Sequence, residues 1–280
     1  MQSRNPTMTD RYAVIGNPIA HSKSPLIHGL FAQATGQDIE YTAIEGPLDG
    51  FADTVRAFIA AGGRGMNVTL PFKLQAFDIA TDPMESARLA GAVNALKFEA
   101  DRIYTQNFDG LGLVNDIQRN LGVLLTGKRV LICGAGGATR GAILPIAQQR
   151  PALLAVANRS ADKAHELKAD FAAHATLQTG GYADLAGESF DVVLNATSTG
   201  LSQTELPLPA GVFAPGALAY ELVYGKGLTP FLKQARAAGV TQLVDGVGML
   251  VEQAAEAFEW WRGVRPDTQA VIKRLTVPLE

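Results

Sequence analysis

Along the chain, short β-branched apolar runs alternate with longer stretches whose apolar residues recur every three or four positions, the rhythm of βα units. Arg11–Ile15 reads as a strand. Ser24–Ala34 reads as a helix entered through Pro25, whose missing N–H is harmless in a first turn. Ile39–Ile44 is a second strand. Phe51, Val55, Phe58 and Ile59 then fall at i, i+4, i+7 and i+8, the apolar stripe of a helix ending at Gly62-Gly63. Gly65–Val68 predicts a short strand, and Ala92–Phe98 with Arg102–Gln106 a hairpin turning at Ala100-Asp101. A long helix over Leu111–Leu121 carries the chain out of this first series.

Lys128–Cys133 opens a second series: strand, glycine turn, helix Ala138–Gln148, strand Leu153–Ala157 and helix Ala161–Ala173. Asp191–Leu194, Ala217–Leu222 and Gln242–Val244 bring this series to at least five strands. Two alternating series, each with its own glycine turns, predict an α/β protein of two domains with mostly parallel sheets. The last helix, Met249–Trp261, carries Leu250, Ala254, Ala257 or Phe258, and Trp261 on one face. Nothing after it extends the second sheet, so it is open to pack on either domain or to join both.

Composition narrows the class without naming it. The 280 residues are 47% hydrophobic and 18% charged, enough apolar material for a sizeable core and too much for a disordered chain. Lys plus Arg number 24 against 27 Asp plus Glu, a net charge of −3, which lacks the basic excess of a nucleic-acid or anionic-membrane binder. The single cysteine, Cys133, excludes an internal disulfide, and the four histidines form no His/Cys pair at metal-ligand spacing, so no metal is expected. Apolar runs fall short of the roughly 20 residues of a membrane span. No secretory n-region and h-region pair opens the chain, which predicts a cytoplasmic protein. Met1 to Asp10 are polar and unpatterned and read as a leader or a misassigned start. A small-molecule enzyme is expected, monomer or homodimer, with no nucleic-acid or membrane partner.

Val130-Leu131-Ile132-Cys133 runs straight into Gly134-Ala135-Gly136-Gly137-Ala138, and a helix follows. Strand, glycine turn and helix together make a dinucleotide fingerprint, in which backbone N–H groups meet a pyrophosphate at a helix N-terminus. The third fingerprint position holds Thr139, so the match is a variant. An NAD site places a carboxylate at the end of the next strand. Here that strand ends in Asn158-Arg159-Ser160, with Lys163 one turn on, a set that suits a 2′-phosphate and predicts NADP. The alternative reading of Ser160, a simple helix cap, is compatible with this. Asn195-Ala196-Thr197-Ser198-Thr199-Gly200 follows another strand of the same sheet, which puts Thr197 and Ser198 on the nicotinamide side; taken alone, the loop reads as a plain turn.

In the first series three polar clusters sit where strands end: Asn17 to Pro25, Asn67 to Lys73, and Asn107 to Gly110. They offer neutral hydrogen bonders, an ammonium and a carboxylate, but no nucleophile–base pair. That set suits a small polyhydroxylated anion. A dehydrogenase also needs a group that takes the hydroxyl proton as the hydride leaves.

The strings SKSP, NVTxPFK, GAVN, GAGG, NRS and GMLVEQA, in this order from about Tyr12 to Leu275, resemble shikimate dehydrogenase. The resemblance implies NADP-linked, reversible reduction of 3-dehydroshikimate to shikimate, a step of aromatic biosynthesis. It implies a substrate domain over residues 1–110, to which residues 246–280 return, and a Rossmann-type NADP domain over 111–245. It further implies that Ser22 and Ser24 hold the substrate carboxylate and that Asn67, Asn94, Asp109 and Gln253 bond the ring hydroxyls, with Thr69 and Tyr224 nearby. Lys73 and Asp109 are the implied catalytic pair, and Gly246 joins the cofactor side. His21 and His28 match no implied catalytic position and read as structural.

Two strings depart from the family pattern: NTDG reads Asn107-Phe108-Asp109-Gly110, and AVNT reads Ala92-Val93-Asn94-Ala95. Each loses a threonine hydroxyl beside an implied substrate ligand. Either both side chains face the core, or the chain is a quinate/shikimate-type or otherwise substrate-shifted paralogue. A catalytically silent NADP-binding sensor is a third possibility, opposed by the intact Lys73 and Asp109. With a near-neutral chain and two anionic ligands, attraction must come from local clusters at Lys73, Arg159 and Lys163.

Overall fold

The computed structural model describes residues 9–199 and 204–279. The leader reading therefore lies outside the described residues up to Met8, as does Gly200 of the loop after Asn195. Asp10 lies inside them and opens a strand, contrary to the leader reading. Chain contacts divide the protein into two compact units, Met1–Phe108 with Ala254–Val271, and Asp109–Gln253 with Ile272–Glu280. No helix among the described residues is long and apolar enough to cross a membrane.

The first unit holds a six-stranded sheet of β1 (Asp10–Gly16), β2 (Ile39–Glu45), β3 (Gly63–Val68), β4 (Asp82–Pro83), β5 (Ala95–Glu99) and β6 (Arg102–Gln106), in the order β2-β1-β3-β5-β6-β4. β1 runs parallel to β2 and β3, while β5 pairs antiparallel with both β3 and β6. The sheet is thus mixed, because the β5–β6 hairpin reverses direction in two residues at Ala100-Asp101. Helices α1 (Ser24–Thr35), α2 (Phe51–Ala60), α3 (Lys73–Asp78) and α4 (Glu85–Ala90) belong to this unit. The last two have six residues each, too few to show a helical period in the sequence. Successive strand residues face opposite ways, and the core divides accordingly. Leu96 joins Ile15, Phe51, Phe58, Met66 and Phe72 on one face. Ala95 joins Tyr12, Phe108, Ala257 and Trp261 on the other. Trp261 Nε1 donates to the Leu96 carbonyl at 2.9 Å, which ties the end of the long helix α9 (Val247–Arg262) to this sheet.

The second unit holds β7 (Arg129–Cys133), β8 (Leu153–Ala157), β9 (Gln178–Gly180), β10 (Phe190–Asn195), β11 (Phe213–Glu221) and β12 (Gln242–Val244), in the order β12-β11-β10-β7-β8-β9. Every pair is parallel. Its central strands β7 and β8 read as near-continuous apolar runs, as strands buried on both faces do, and α6 (Gly137–Ala147), α7 (Ala161–Asp170) and α8 (Pro230–Ala237) belong to the same unit. The chain moves outward from β7 to β9 and then returns to β10 on the other side of β7. That reversal sets a topological switch point at the carboxyl ends of β7 and β10, where ligands of such sheets bind.

The helix expected over Leu111–Leu121 is two pieces: α5 (Asp109–Asn115) and a π-helical turn over Asp116–Asn120. The Leu121 N–H reaches back five residues to the Asp116 carbonyl at 3.0 Å. The Asp116 carboxylate accepts from the Tyr220 hydroxyl at 2.7 Å and the Asn120 amide at 2.9 Å. Burial pushes the Asp116 carboxyl above its usual range. A tertiary contact of this kind leaves no mark on local periodicity.

Candidate functional site

In the first unit the polar clusters are stitched together at one end of the sheet. The Thr69 N–H donates to the Ile15 carbonyl at 3.0 Å, the Val68 N–H to the Asn94 carbonyl at 2.9 Å, and the Val93 N–H to the Lys73 carbonyl at 2.9 Å. These bonds, with the Asn17 N–H donating to the Leu70 carbonyl at 3.1 Å, bring the loops after β1 and β3 and the start of β5 side by side. Ser22 Oγ accepts the Ser24 N–H at 3.3 Å, and Ser24 is buried in the first turn of α1. Asn67 is buried near the end of β3, with its Oδ1 accepting the Tyr41 hydroxyl at 2.7 Å and its amide donating to the Asn94 carbonyl at 3.2 Å. Asn94 Oδ1 accepts the Phe108 N–H at 2.8 Å, which draws in the loop before Asp109. Lys73 is half-buried as the first residue of α3. Asn67, Thr69, Lys73 and Asn94 are therefore neighbours, and Ser22 and Ser24 belong to the same unit.

Asp109, Gln253 and Tyr224 belong to the second unit. Asp109 begins α5, and Gln253 lies on α9, its amide donating to the Leu250 carbonyl at 2.8 Å. The two helices meet at Gly112, where an added Cβ would lie 2.7 Å from the Gln253 backbone nitrogen. That close approach fixes Asp109 and Gln253 on one rigid crossing. Tyr224 is 38% exposed in the loop after β11.

Phe108 and Ala95 are both buried in the cluster with Tyr12, Ala257 and Trp261, and Phe108 meets the Trp260 ring edge-on at 5.7 Å. Their side chains pack; they do not line a polar surface. Phe108→Thr should therefore destabilise the protein by about 2 kcal/mol, below the loss for a full aromatic truncation because threonine refills part of the space. Urea denaturation measures this, and the shikimate-to-quinate preference should stay within about twofold of wild type.

The glycine turn occupies the switch point of the second unit. Gly134 has φ +108°, a value that favours glycine, and a Cβ there would lie 2.9 Å from Thr197 Cγ2. Space opens above Gly136 and Gly137, where an added Cβ meets nothing within 4 Å. Helix α6 starts here with no side-chain cap and no acidic residue in its first turn. Uncapped N–H groups, a helix dipole and open space beside Ala135 and Ala138 fit a pyrophosphate. Thr139, the variant position, is buried and its Oγ1 donates to the Gly134 carbonyl at 2.8 Å, holding the turn closed where the fingerprint has glycine.

Asn158 follows β8 and its amide donates to the Ser160 carbonyl at 2.9 Å. Arg159, Ser160 and Lys163 are exposed at the start of α7, and no carboxylate ends β8. Ser160 takes the N-cap position without a side-chain cap bond, so its hydroxyl is not spent on the helix. The set fits a 2′-phosphate. After β10, Asn195 Oδ1 accepts the Thr197 N–H at 3.1 Å and the Thr197 hydroxyl at 2.6 Å, while the Asn195 amide donates to Glu221 at 2.8 Å. Burial raises the Glu221 carboxyl above its usual range. Ser198 is exposed beside Thr197. Gly246 is buried, and an added Cβ would overlap the Leu222 carbonyl, so the loop before α9 is pressed against the end of β11. Among the described residues no group of three or more His, Cys, Asp or Glu could hold a metal ion.

Three family models match the chain: a shikimate dehydrogenase substrate binding domain over residues 14–96, a shikimate/quinate 5-dehydrogenase over 116–204, and a shikimate 5′-dehydrogenase C-terminal domain over 246–276. A shikimate dehydrogenase (NADP(+)) from Dechloromonas aromatica is 55% identical over 97% of this chain and 99% of its own length. The chain belongs to the shikimate dehydrogenase family. Among solved structures similar to this member, an Ael1 enzyme from Pseudomonas putida is 60% identical with a TM-score of 0.94, covering 97% of this chain and 100% of that one. A shikimate 5-dehydrogenase from Thermus thermophilus, solved in complex with NADP(H) and shikimate, is 31% identical with a TM-score of 0.83, covering 94% and 97%. The two-domain α/β fold with a Rossmann-type second domain is thus shared by the shikimate dehydrogenase neighbours and this chain.

Sequence reasoning missed three side chains that shape these surfaces. Thr139 counts only as a mismatch in the fingerprint, and Asn195 as a turn residue. Tyr41 lies on a strand with no motif around it; its partner Asn67 is 26 residues away.

Proposed function

We propose that this shikimate dehydrogenase family member interconverts 3-dehydroshikimate and shikimate with NADP, Lys73 and Asp109 assisting proton transfer, as a step of aromatic biosynthesis. The observation that carries the reading is the joined cluster of Asn67, Thr69, Asn94 and Lys73 at one end of the first sheet, with the bonded pair Ser22 and Ser24 in the same unit. It presents several neutral hydrogen bonders and one ammonium, the complement of a small polyhydroxylated carboxylate. The first unit takes the substrate and the second the dinucleotide.

When bound, NADP supplies hydride acceptance and return at the nicotinamide. The chain supplies the rest. Ser22 and Ser24 hold the carboxylate through their hydroxyls. Asn67, Asn94 and Gln253 bond ring hydroxyls, Thr69 and Tyr224 border them, and so fix which carbon reacts. As the ring carbon loses its hydride, the hydroxyl on it loses a proton to Lys73 and Asp109, which act as a pair. In the reverse direction the same pair returns the proton to the carbonyl oxygen. Uncapped N–H groups at Gly136 and Gly137 take the pyrophosphate, and Arg159, Ser160 and Lys163 take the 2′-phosphate.

The direct test is a substrate panel with NADP. Shikimate should give the highest kcat/KM, well above quinate; the reverse order would replace this reading with a quinate-type one, and inactivity on every cyclohexene and cyclohexane carboxylate would return the silent sensor. Cofactor choice has its own test. Arg159→Ala removes charge-assisted hydrogen bonds worth about 2 kcal/mol, so KM for NADP should rise about thirtyfold while KM for NAD stays within about twofold. Equal changes for both would place the phosphate elsewhere.

A further inference from the structure

Asn67 has an orientation problem that the structure solves. Rotation of a terminal amide is soft and nearly two-fold, so oxygen and NH2 can exchange places at little cost. Here the amide NH2 donates to the Asn94 carbonyl and the Oδ1 accepts from the Tyr41 hydroxyl. The flipped amide would set Oδ1 against the Asn94 carbonyl, two acceptors face to face. At 2.7 Å the Tyr41 bond is the shorter of the two ties, against 3.2 Å to Asn94. With both ties made, the amide still has one N–H to offer a ligand hydroxyl.

Tyr41 is held in turn by His28. The two rings stack with centroids 4.2 Å apart and planes 5° from parallel. His28 is completely buried within a cage of Phe31, Phe258 and Trp261. Neither of its ring nitrogens makes a hydrogen bond among the described residues, so ring packing is what holds it. Burial pulls the imidazole down to about 3, an effect only partly offset by the neighbouring Asn67, and the ring stays neutral across the working pH range. A charged platform would pull on the Tyr41 hydroxyl; a neutral one does not.

We propose that Tyr41 and His28 are a positioning pair that fixes the Asn67 amide with one N–H turned toward the substrate. Tyr41 sets the rotation through its hydroxyl, and His28 sets the Tyr41 ring through stacking. The role rests on the proposed function, in which Asn67 bonds a ring hydroxyl. Both residues belong to the first unit and the dinucleotide-binding turn to the second, so the device acts on the substrate that the first unit takes.

The test is steady-state kinetics of wild type, Tyr41→Phe, His28→Phe and His28→Ala with shikimate and NADP, alongside thermal melting. Tyr41→Phe should raise KM for shikimate about tenfold, the loss of one hydrogen bond. Its kcat and its KM for NADP should stay within about twofold. His28→Phe keeps the stacked ring and should keep the wild-type KM, whereas His28→Ala should share the Tyr41→Phe defect. An unchanged shikimate KM in Tyr41→Phe would overturn the proposal, as would a parallel rise in both KM values with a lowered Tm, which marks general loosening. A wild-type KM in His28→Ala would remove His28 from the pair. Wild-type enzyme inactive on shikimate would instead sink the proposed function, and this role with it.

Discussion

Lys73→Ala should lower kcat for shikimate oxidation about a thousandfold and leave the dissociation constant of NADPH within about twofold. A positioned acid or base contributes about a hundred- to ten-thousandfold to a proton-coupled step, which sets the size of the loss. The cofactor constant holds because Lys73 belongs to the first unit and the glycine turn to the second. Helix stability does not explain the residue: a cation in the first turn of α3 gains nothing from the helix dipole. Lys73→Arg should not restore turnover, since a guanidinium does not give up a proton and its fork differs in shape from an ammonium. Stopped-flow and steady-state rates, with NADPH titrated by fluorescence, measure each arm. Turnover above a tenth of wild type would remove Lys73 from the chemistry.

Gly110→Ala should cost about 3 kcal/mol of stability, the upper end for a core that must absorb an extra methyl. Gly110 is buried in α5, and a Cβ there would overlap the Gly141 carbonyl of α6, backbone against backbone. No side chain can swing aside, so α5 itself must shift. Asp109 is the preceding residue, and kcat/KM should fall as well. Gly136→Ala is the contrast, because its Cβ meets nothing within 4 Å and its stability should change by no more than about 0.5 kcal/mol. Equal losses in the two variants would show that chain entropy, not the α5–α6 crossing, decides the effect.

Much of the fold was legible because its signals are local. The strand and helix periods in β1, α1, β2 and α2 fall within a few residues of their observed limits, and the hairpin turns where Ala100-Asp101 interrupts the apolar run. The unread parts depend on contacts far away in sequence. The π-turn at Asp116 answers to Tyr220, 104 residues on. Helices α3 and α4 are too short for a period to form. The Phe108 and Ala95 departures could not be placed as core or site from the sequence, because the facing of Ala95 on β5 depends on a register that only its partners define, and Phe108 lies in a loop held by Asn94, 14 residues away. Motif strings located Asn67 and Asn94, but Tyr41, which orients Asn67, carries no string of its own.

The chain passes between its two compact units at Phe108–Asp109, at Gln253–Ala254 and at Val271–Ile272. The first two passages each adjoin a residue proposed to contact substrate, Asp109 and Gln253, and both residues fall on the dinucleotide side. Module exchange is therefore not clean in this protein. A chimera that replaces the second unit with that of a relative, to change cofactor use, also imports a new Asp109 and a new Gln253. Recombination along the structural boundary should retain its original substrate selectivity only when the donor carries the same two side chains.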